Sequence, residues 1–185
     1  MKTVVGIAGG TASGKSTFTD LLVDALGDVK IGVIHMDSYF KRESERPHVA
    51  SHLNGKVYVD DNCPDTIDWQ GFHRDLDGMI AEDNDVIIAE GLLVLWDEHT
   101  RDCLDLKIFV DCRSDERLAR RIKRNAQWGQ SFEQVTDVFL NMVRFRHDQY
   151  VEPTKWIADV IVNGTGDKSL ACDMVKDAIL KRVNQ

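Results

Sequence analysis

The sequence predicts an α/β domain built on a five-stranded, doubly wound parallel sheet. Short apolar runs alternate along the chain with longer amphipathic stretches, and this alternation is typical of parallel strands joined by crossover helices. The 185 residues are enough for one domain with its own core, so we expect residues 1–185 to form a single domain. Hydrophobic residues make up 43% and charged residues 29% of the chain, which is ordinary for a globular protein.

Five apolar runs are predicted to form the parallel strands, and they cover residues 3–8, 30–36, 85–90, 106–110 and 158–162. The amphipathic stretches predict helices over residues 15–26, 69–81, 115–126 and 131–150, with a terminal helix from about residue 168. Gly27 is expected to close the first helix, and Asp68 and Ser114 are candidate N-caps. The Asn54-Gly55 pair predicts a small hairpin.

Charge and composition exclude several classes of partner. The formal net charge is -8, which argues against binding to nucleic acid, because such binding needs a basic surface. No apolar run reaches the roughly 18 residues of a membrane span, and the run at residues 4–8 is too short for a signal peptide. The four cysteines and six histidines show no zinc-ligand spacing. We therefore expect a cytoplasmic protein that acts on a small molecule; the sequence carries no signal for an oligomeric state.

A complete phosphate-binding loop follows the first predicted strand. Gly9, Gly14, Lys15 and Ser16 satisfy the pattern GxxxxGK[ST], and an amphipathic helix begins directly after them. The glycines allow the backbone amides to turn toward phosphate oxygens, the lysine reaches the β- and γ-phosphates, and the serine hydroxyl binds Mg²⁺. The predicted nucleotide-binding residues are Gly9, Gly10, Thr11, Ala12, Ser13, Gly14, Lys15, Ser16 and Thr17.

Two acidic residues follow predicted strands. Asp37 comes after the second strand, and Glu90 ends the third. In a parallel sheet both lie at the carboxyl edge, beside the phosphate-binding loop. Phosphoryl transfer to a hydroxyl needs a carboxylate near the nucleophile and Mg²⁺ to neutralise charge. Asp37 fits the first role and is a candidate metal ligand together with Ser16 and Glu90, although capping of a neighbouring helix or loop is an alternative role for both acids.

Basic residues crowd the segment 113–124. Arg117, Arg120, Arg121 and Arg124 are spaced i, i+3, i+4 and i+7, so they share one face of the predicted helix. Such a face is often only solvated, but beside a nucleotide site it can bind the phosphates that are being transferred. We expect two of these arginines to act in the site. No NKxD element is present, and the chain is short for a motor ATPase, so a kinase is favoured over both alternatives.

Several segments together resemble the uridine kinase and nicotinamide riboside kinase family of P-loop kinases. The matching segments are GGTASGKST at 9–17, DSYF at 37–40, DNCPDTIDW at 61–69, IAEG at 88–91, RRIKRN at 120–125 and YVEPTKWIADVI at 150–161. The last is long and is the most specific. The resemblance extends over nearly the whole chain. It implies a fold of the nucleoside monophosphate kinase type, with a substrate hairpin at about 41–68 and a lid at about 125–131.

The resemblance also implies an activity, in which ATP and Mg²⁺ phosphorylate the 5′-hydroxyl of a nucleoside or riboside. Asp37 and Lys15 are then the catalytic residues. Arg120, Arg124, Gly164 and Thr165 are implied to bind ATP, the last two in the adenine pocket with Asn163. The substrate is implied to contact Asp37, Tyr39, Phe40, Asp61, Asn62 and Arg121.

The chain also departs from the family pattern, and the departures concern the acceptor. Asn62 occupies the position of a riboside-binding acid, the segment 71–85 lacks the YDFxxH insert with which uridine kinases read the pyrimidine, and QWGQ at 127–130 replaces an arginine-containing lid turn. These departures favour a nicotinamide riboside-like pocket or another riboside. Trp69, Trp96 and Trp128 are candidates to stack on a base, although packing is the commoner role. A kinase of pantothenate or a phosphosugar and a non-catalytic ATP-binding regulator are the alternatives.

Overall fold

The computed structural model describes residues 2–184. The strands are β1 (Thr3–Ala8), β2 (Ile31–His35), β3 (His48–Ala50), β4 (Val57–Val59), β5 (Val86–Glu90), β6 (Leu106–Asp111) and β7 (Val160–Asn163). The α-helices are α1 (Lys15–Leu26), α2 (Trp69–Ala81), α3 (Glu98–Cys103), α4 (Ser114–Ala126), α5 (Phe132–Val138), α6 (Arg144–Arg146) and α7 (Ser169–Val183).

Five of the strands form one parallel sheet in the order β2-β5-β1-β6-β7. The five predicted strands are therefore confirmed, with ends within two residues of the prediction. Helices cover both faces of this sheet, as in other doubly wound folds. In the register of the sheet, Glu90 pairs with Ile7 on one side and with His35 on the other, which brings the carboxyl ends of three strands together.

The core has one layer on each face of the sheet. On one face, Phe18 and Leu22 of α1 and Ile179 of α7 pack against the central strands. On the other, Phe72 and Leu76 of α2 pack with the buried segment 92–95 that follows β5. All five of these named side chains are fully buried. These two layers hold β1 and β5 rigidly, and the functional loops extend from their ends.

The predicted hairpin is present as the antiparallel pair β3 and β4. Val49 pairs with Tyr58, and Gly55 adopts a positive φ of 70° in the connecting turn, a conformation that glycine reaches without strain. The hairpin lies against the later helices, because Lys56 and Tyr58 both donate hydrogen bonds to Asp137.

Two helix starts test the capping predictions. Asp68 caps α2 by accepting a hydrogen bond from the amide of Gly71 at 3.1 Å, as predicted. The predicted cap of α4 is wrong, since Ser114 is already helical and Arg113 holds the N-cap position without a capping side chain. The short helix α3 is absent from the prediction, and Asp97 caps it by accepting from the amide of Thr100 at 2.8 Å.

The stretch predicted as one helix over residues 131–150 is helical throughout but not uniform. It begins at Ser131 with a capping box to Gln134. It then alternates between α5, a π-helical turn over Phe139–Val143, α6, a second π-helical turn over His147–Val151 and a 3₁₀ segment over Glu152–Ile157. π-Helical turns are rare and often occur at functional sites. The second of them carries His147, which lies directly beneath the phosphate-binding loop.

The predicted lid region forms the turn between α4 and α5. Gly129 takes a φ of 81°, and Asn125 donates a hydrogen bond to Gln130 across the turn at 2.7 Å. Within residues 2–184, no helix combines the length and the hydropathy that crossing a bilayer requires.

Candidate active site

The loop between β1 and α1 has the backbone of a phosphate-binding loop. Gly9 and Gly14 adopt φ angles of 155° and 96°, and Ala12 adopts 60°. A Cβ on Gly9 would lie 2.6 Å from the carbonyl oxygen of Val110, so only glycine lets the loop pass this close to the sheet. The amide of Ser13 donates to the carbonyl of Gly10 at 3.0 Å. This fold leaves the following amides and the N-terminus of α1 free to bind an anion.

A buried carboxylate joins the loop to two strand ends. Glu90 Oε1 lies 3.2 Å from the ammonium of Lys15 and accepts a hydrogen bond from the Ser16 hydroxyl at 3.3 Å. Its second oxygen, Oε2, lies 2.9 Å from Nδ1 of His35. Sequence reasoning identifies the first three of these residues but not His35, whose place beside Glu90 follows from the pairing of β2 with β5.

The ionisation of Glu90 depends on these neighbours. Burial opposes the charged form of this carboxyl, but the charge of Lys15 and the hydrogen bonds from His35 and Lys15 outweigh it and lower its pKa below the ordinary value of 4.5. Glu90 is therefore an anion at neutral pH. It fixes the position of Lys15 until phosphate oxygens compete for the ammonium.

A cleft of about 410 Å³ opens on the outer side of this loop. Basic side chains from three distant parts of the chain converge there. It is lined by Ala12, Gly14, Lys15, Ser16, Thr17, Arg120, Arg124 and Lys168. The cleft combines loop amides with four cationic side chains, which suits a polyphosphate.

A second cleft, of about 300 Å³, lies on the other side of Lys15. We call it the acceptor cleft. It is lined by Thr11, Lys15, Asp37, Phe40, Asp61, Asn62, Leu92, Arg121, Arg124 and Trp128. Lys15 and Arg124 line both clefts, so a group bound in one lies beside a group bound in the other.

The comparisons with known proteins agree with this geometry. The sequence profile of the phosphoribulokinase/uridine kinase family matches residues 69–171. Among curated proteins, a uridine kinase from Geobacillus kaustophilus is 34% identical over 93% of this chain and 90% of its own length. A uridine kinase from Staphylococcus carnosus is 32% identical over 98% of this chain and 97% of its own.

The chain belongs to the phosphoribulokinase/uridine kinase family. As a member of it, this protein is a P-loop kinase. Two solved structures share its fold. One is described as a possible uridine kinase from Bacillus stearothermophilus (TM-score 0.57, 20% identity, covering 86% of this chain and 88% of that chain). The other is shikimate kinase from Acinetobacter baumannii (TM-score 0.57, 13% identity, covering 98% and 95%).

The arginine face of α4 points toward the phosphate-binding loop of this kinase. Arg120 donates to the carbonyl oxygens of Ser13 at 3.2 Å and Gly164 at 3.0 Å. Arg121 donates to the hydroxyl of Thr11 at 3.0 Å. Burial lowers the pKa of Arg121, as does the nearby charge of Arg124. A partly desolvated cation of this kind gains from the arrival of an anion.

Arg117 differs from its three neighbours on that face, because it is buried behind the loop. Only 2% of its surface is exposed, and its Nε donates to the carbonyl of Cys112 at 3.1 Å. A Cβ on Gly10 would lie 2.6 Å from Arg117 Nη1 and 2.9 Å from the ring of His147. Arg117 and His147 therefore support the loop from below, while Arg120, Arg121 and Arg124 face the clefts.

The acceptor cleft brings together most of the residues predicted to bind substrate. Asp37 is exposed there at the end of β2. The carboxylate of Asp61 accepts a hydrogen bond from Arg46 at 2.9 Å. The backbone amide of the buried Asn62 donates to Asp60 Oδ1 at 3.1 Å, which closes a turn there. Trp128 is 67% exposed with the Arg124 guanidinium 5.0 Å from its ring.

One predicted substrate residue lies elsewhere. The hydroxyl of Tyr39 donates to Asp75 on α2 at 2.9 Å, and its ring packs edge-on against Phe72. Tyr39 therefore packs against α2 and is not among the residues lining the acceptor cleft. Phe40 does line the cleft, and the guanidinium of Arg46 lies 5.1 Å from the centre of its ring.

Two of the three residues predicted for the adenine pocket line a third cleft, of about 540 Å³, at the ends of β6 and β7, and Gly164 lies between them in the chain. Asn163 and Thr165 are among its lining residues, and Asn163 accepts a hydrogen bond from the amide of Thr165 at 2.9 Å. The hydroxyl of Thr165 donates to Glu116 at 2.8 Å. A side chain at Gly164 would lie 2.4 Å from the carbonyl of Ser13, so this glycine allows the two loops to touch.

Lys168 is a functional candidate that the sequence does not reveal. Only 9% of its surface is exposed, and it lines the phosphate cleft across from Gly14. Its ammonium donates to the carbonyl of Gly166 at 3.2 Å. Lys168 is the last residue of the segment NGTGDK at 163–168, which is not a recognised phosphate-binding pattern, and only the return of the chain from β7 brings this lysine to the loop.

The oxygen donors around the loop fit a hard divalent cation such as Mg²⁺. Ser16 and Glu90 offer a hydroxyl and a carboxylate 3.3 Å apart, and Mg²⁺ prefers oxygen ligands. Asp37, the third predicted ligand, is exposed, and within residues 2–184 its side chain has no hydrogen bond or ion pair. It is therefore free to meet an incoming hydroxyl or a hydrated cation.

Proposed function

We propose that this protein is an ATP-dependent kinase that transfers the γ-phosphate to the 5′-hydroxyl of a ribonucleoside, with uridine as the first candidate acceptor. The observation that carries the proposal is the acceptor cleft, in which the unpaired carboxylate of Asp37 shares a wall with Lys15 and Arg124. The family membership supports it, because the curated relatives at 31–34% identity are described as uridine kinases.

In the proposed mechanism, Asp37 orients the 5′-hydroxyl and accepts its proton as the oxygen attacks the γ-phosphorus. The bond from the γ-phosphorus to the bridging oxygen of ADP then breaks. Asp61 and Asn62 lie in the same cleft and are proposed to bind the ribose hydroxyls, because a carboxylate and an amide can accept and donate to a vicinal diol.

On the donor side, the loop amides, Lys15 and Arg120 are proposed to bind the phosphates of ATP, with Arg124 and Lys168 at the γ-phosphate end. These groups are held in place before ATP arrives, by Glu90 for Lys15 and by two carbonyl oxygens for Arg120. Held cations stabilise the charge of the transition state without a cost for reorganising them. Mg²⁺ held through Ser16 and Glu90 would neutralise charge on the phosphates.

Adenine is proposed to lie in the third cleft, beside Gly164 and Thr165. Arg120 supports this arrangement, because one of its nitrogens donates to both the phosphate-binding loop and the carbonyl of Gly164. The base and the phosphates of one nucleotide can therefore be held by segments that are already joined.

Nicotinamide riboside is the second candidate acceptor. The chain between the cap of α2 and β5 consists of α2 and a short turn over residues 82–85, and it lacks the insert that the family resemblance associates with pyrimidine recognition. The base is then left to Phe40 and Trp128, whose aromatic rings line the cleft and which stack on a base without distinguishing its edges.

A panel of acceptors tests the proposal. The protein with Mg²⁺ and ATP is incubated separately with uridine, cytidine, nicotinamide riboside, pantothenate and ribulose 5-phosphate, and products are measured by mass spectrometry. We expect a monophosphate from uridine and none from 5′-deoxyuridine, which lacks the accepting hydroxyl. A product from pantothenate or the phosphosugar alone would contradict the riboside assignment, and ATP hydrolysis that no acceptor stimulates would favour an ATP-binding regulator.

A further inference from the structure

Two helices remote in sequence bring three metal-ligating side chains together. Asp77 lies on α2, and His99 and Cys103 lie one helical turn apart on α3. Their potential ligand atoms all lie within 4.8 Å of one another, and no other group of three or more His, Cys, Asp or Glu side chains in residues 2–184 meets this condition. None of the three residues is used by the kinase chemistry proposed above.

The spacing of the ligand atoms suits a cation with tetrahedral coordination. His99 Nε2 lies 3.4 Å from Asp77 Oδ1. Nitrogen and oxygen ligands about 2.0–2.1 Å from zinc, and sulfur about 2.3 Å away, are separated from each other by roughly 3.3–3.7 Å in a tetrahedral site. The His99–Asp77 edge therefore already has the right length. The Cys103 sulfur lies within 4.8 Å of both ligand atoms, a gap that a change of rotamer can close.

The two helices are held in register by Asp97. Its Oδ2 accepts from the amide of Thr100 at 2.8 Å and from the Thr100 hydroxyl at 2.7 Å, which fixes the start of α3. The same oxygen lies 2.7 Å from Nε2 of His73 on α2. The ring of His73 in turn packs against the ring of His99, with the centroids 4.2 Å apart. Outer contacts of this kind orient a ligating imidazole.

We propose that Asp77, His99 and Cys103 bind one thiophilic divalent cation of the zinc class, which clips α3 to α2. A thiolate and an imidazole select such a cation over Mg²⁺, which prefers oxygen. Binding displaces the thiol proton of Cys103 to solvent. The side chains of Asp77 and His99 are 54% and 48% exposed, so a cation can enter, and water completes the fourth position. The proposal does not depend on which acceptor the kinase uses.

Cobalt reports directly on the sulfur ligand. Metal-free protein, prepared with a chelator and without nucleotide, is titrated with Co²⁺ and followed by absorption. We expect one equivalent to bind with a thiolate-to-cobalt charge-transfer band and the visible bands of a tetrahedral complex, and Zn²⁺ to displace it. Zn²⁺ should also slow the alkylation of Cys103, which is partly exposed whereas the other three cysteines are buried.

Variants separate this site from the metal ligands of the kinase centre. Cys103→Ser should abolish the charge-transfer band, and His99→Gln and Asp77→Asn should each weaken Zn²⁺ binding by about tenfold or more. Cys172→Ala and His48→Gln, which alter a buried thiol and an exposed imidazole elsewhere, should leave the titration unchanged. All variants are compared by circular dichroism to establish folding.

Three results would overturn the proposal. They are the absence of a thiolate band with cobalt, a band that survives Cys103→Ser, and an affinity for Zn²⁺ that His99→Gln leaves unchanged. Zinc bound instead through His35 and Glu90, which offer no sulfur, would give the first and the last of these results together. If Cys103→Ser fails to fold, His99→Gln and Asp77→Asn, which change exposed side chains, decide the question on their own.

Discussion

The ammonium of Lys15 lies 3.2 Å from the carboxylate of Glu90. The two residues are 75 positions apart in the chain, and the pairing of β1 with β5 brings them together. Both side chains are largely shielded from solvent, with 12% and 6% of their surfaces exposed. An ion pair in such a place is held more firmly than one in water. Glu90 therefore fixes the position of the phosphate-binding lysine before ATP binds.

Replacing Glu90 with Gln is expected to lower kcat by about tenfold to hundredfold, because a hydrogen bond to a charged group contributes about 1.5–3 kcal/mol. The ammonium of Lys15 loses its ion pair, and the pair of oxygen ligands that residue 90 forms with the Ser16 hydroxyl loses its negative charge. Steady-state kinetics with varied Mg²⁺ and ATP measure the effect. Glu43→Gln, which changes an exposed carboxylate outside the clefts, is the matched control. Unchanged kinetics in the Glu90 variant would contradict the role assigned to this pair.

Asp37→Asn is expected to lower kcat for the acceptor by about 10²–10⁴, the usual contribution of a positioned general base. Binding of ATP should change little, because Asp37 does not line the phosphate cleft. Isothermal titration with a non-hydrolysable ATP analogue and a product assay measure the two quantities. Asp65→Asn, also an exposed acid, should be fully active. An Asp37 variant that retains acceptor phosphorylation would exclude this residue as the base.

Gly10→Ala is expected to weaken ATP binding by about tenfold, because the added methyl would lie 2.6 Å from Arg117 and 2.9 Å from His147, and overpacking of this kind costs about 1–3 kcal/mol. Gly78→Ala is the control. Its methyl meets nothing within 4 Å, and a helical alanine should raise the free energy of unfolding by about 0.5–1 kcal/mol. Equal ATP affinities in the two variants would show that the loop has no rigid support beneath it.

His147 makes the stability of the protein depend on pH. Burial lowers the pKa of this imidazole below 6.5, and the charge of Arg117 lowers it further, against the opposing effects of Glu152 and Asp148. The unfolded chain therefore binds the proton more strongly, and the free energy of unfolding falls as pH drops from about 6.5 toward the folded pKa, by at most about 1.4 kcal/mol per pH unit.

Urea denaturation between about pH 7 and pH 5 checks this dependence. His147→Gln should flatten the dependence on pH, since it removes the titrating group. His48→Gln, which changes an exposed imidazole, should follow the wild-type curve. Parallel curves for the wild type and the His147 variant would contradict the effect of burial.

The sequence predicts the sheet well because its central strands β1, β5 and β6 are buried on both faces and therefore read as nearly uninterrupted apolar runs. It does not predict α3, since Glu98–Cys103 has no apolar periodicity and depends on the cap from Asp97. The missing helix hides the i, i+4 spacing of His99 and Cys103, so the metal cluster is also missed. Ser114 was expected to cap α4 by residue type alone, which cannot show whether the helix starts one residue earlier.

The residues of the candidate site also fall into those that the sequence predicts and those that it misses. Residues within local motifs, such as Lys15 and Asp37, are predicted from the sequence because their spacing is itself the signal. Lys168 and His147 are missed because they reach the loop from more than 100 positions away in the chain, through folds of the backbone that no short pattern encodes. Tyr39 belongs to a matching motif, yet the hydrogen bond to Asp75 directs it away from the acceptor cleft.

Trp128 gives the acceptor cleft an optical signal. It is 67% exposed, it lines the cleft, and the Arg124 guanidinium lies over its ring. An acceptor whose base stacks on this ring should change the tryptophan fluorescence, and Trp128→Ala should raise KM for the acceptor by roughly fivefold to a hundredfold, since stacking on an aromatic side chain contributes about 1–3 kcal/mol.

Trp156→Phe, which alters another exposed tryptophan, should keep both the fluorescence change and KM. Trp128→Phe should lose the fluorescence change but keep most of the affinity, because phenylalanine still offers an aromatic face. If Trp128→Ala binds the acceptor as tightly as the wild type does, the base must stack on Phe40, the other aromatic ring that lines the cleft. The pair of variants therefore identifies which side of the cleft holds the base, and with it the side on which uridine and nicotinamide riboside would be told apart.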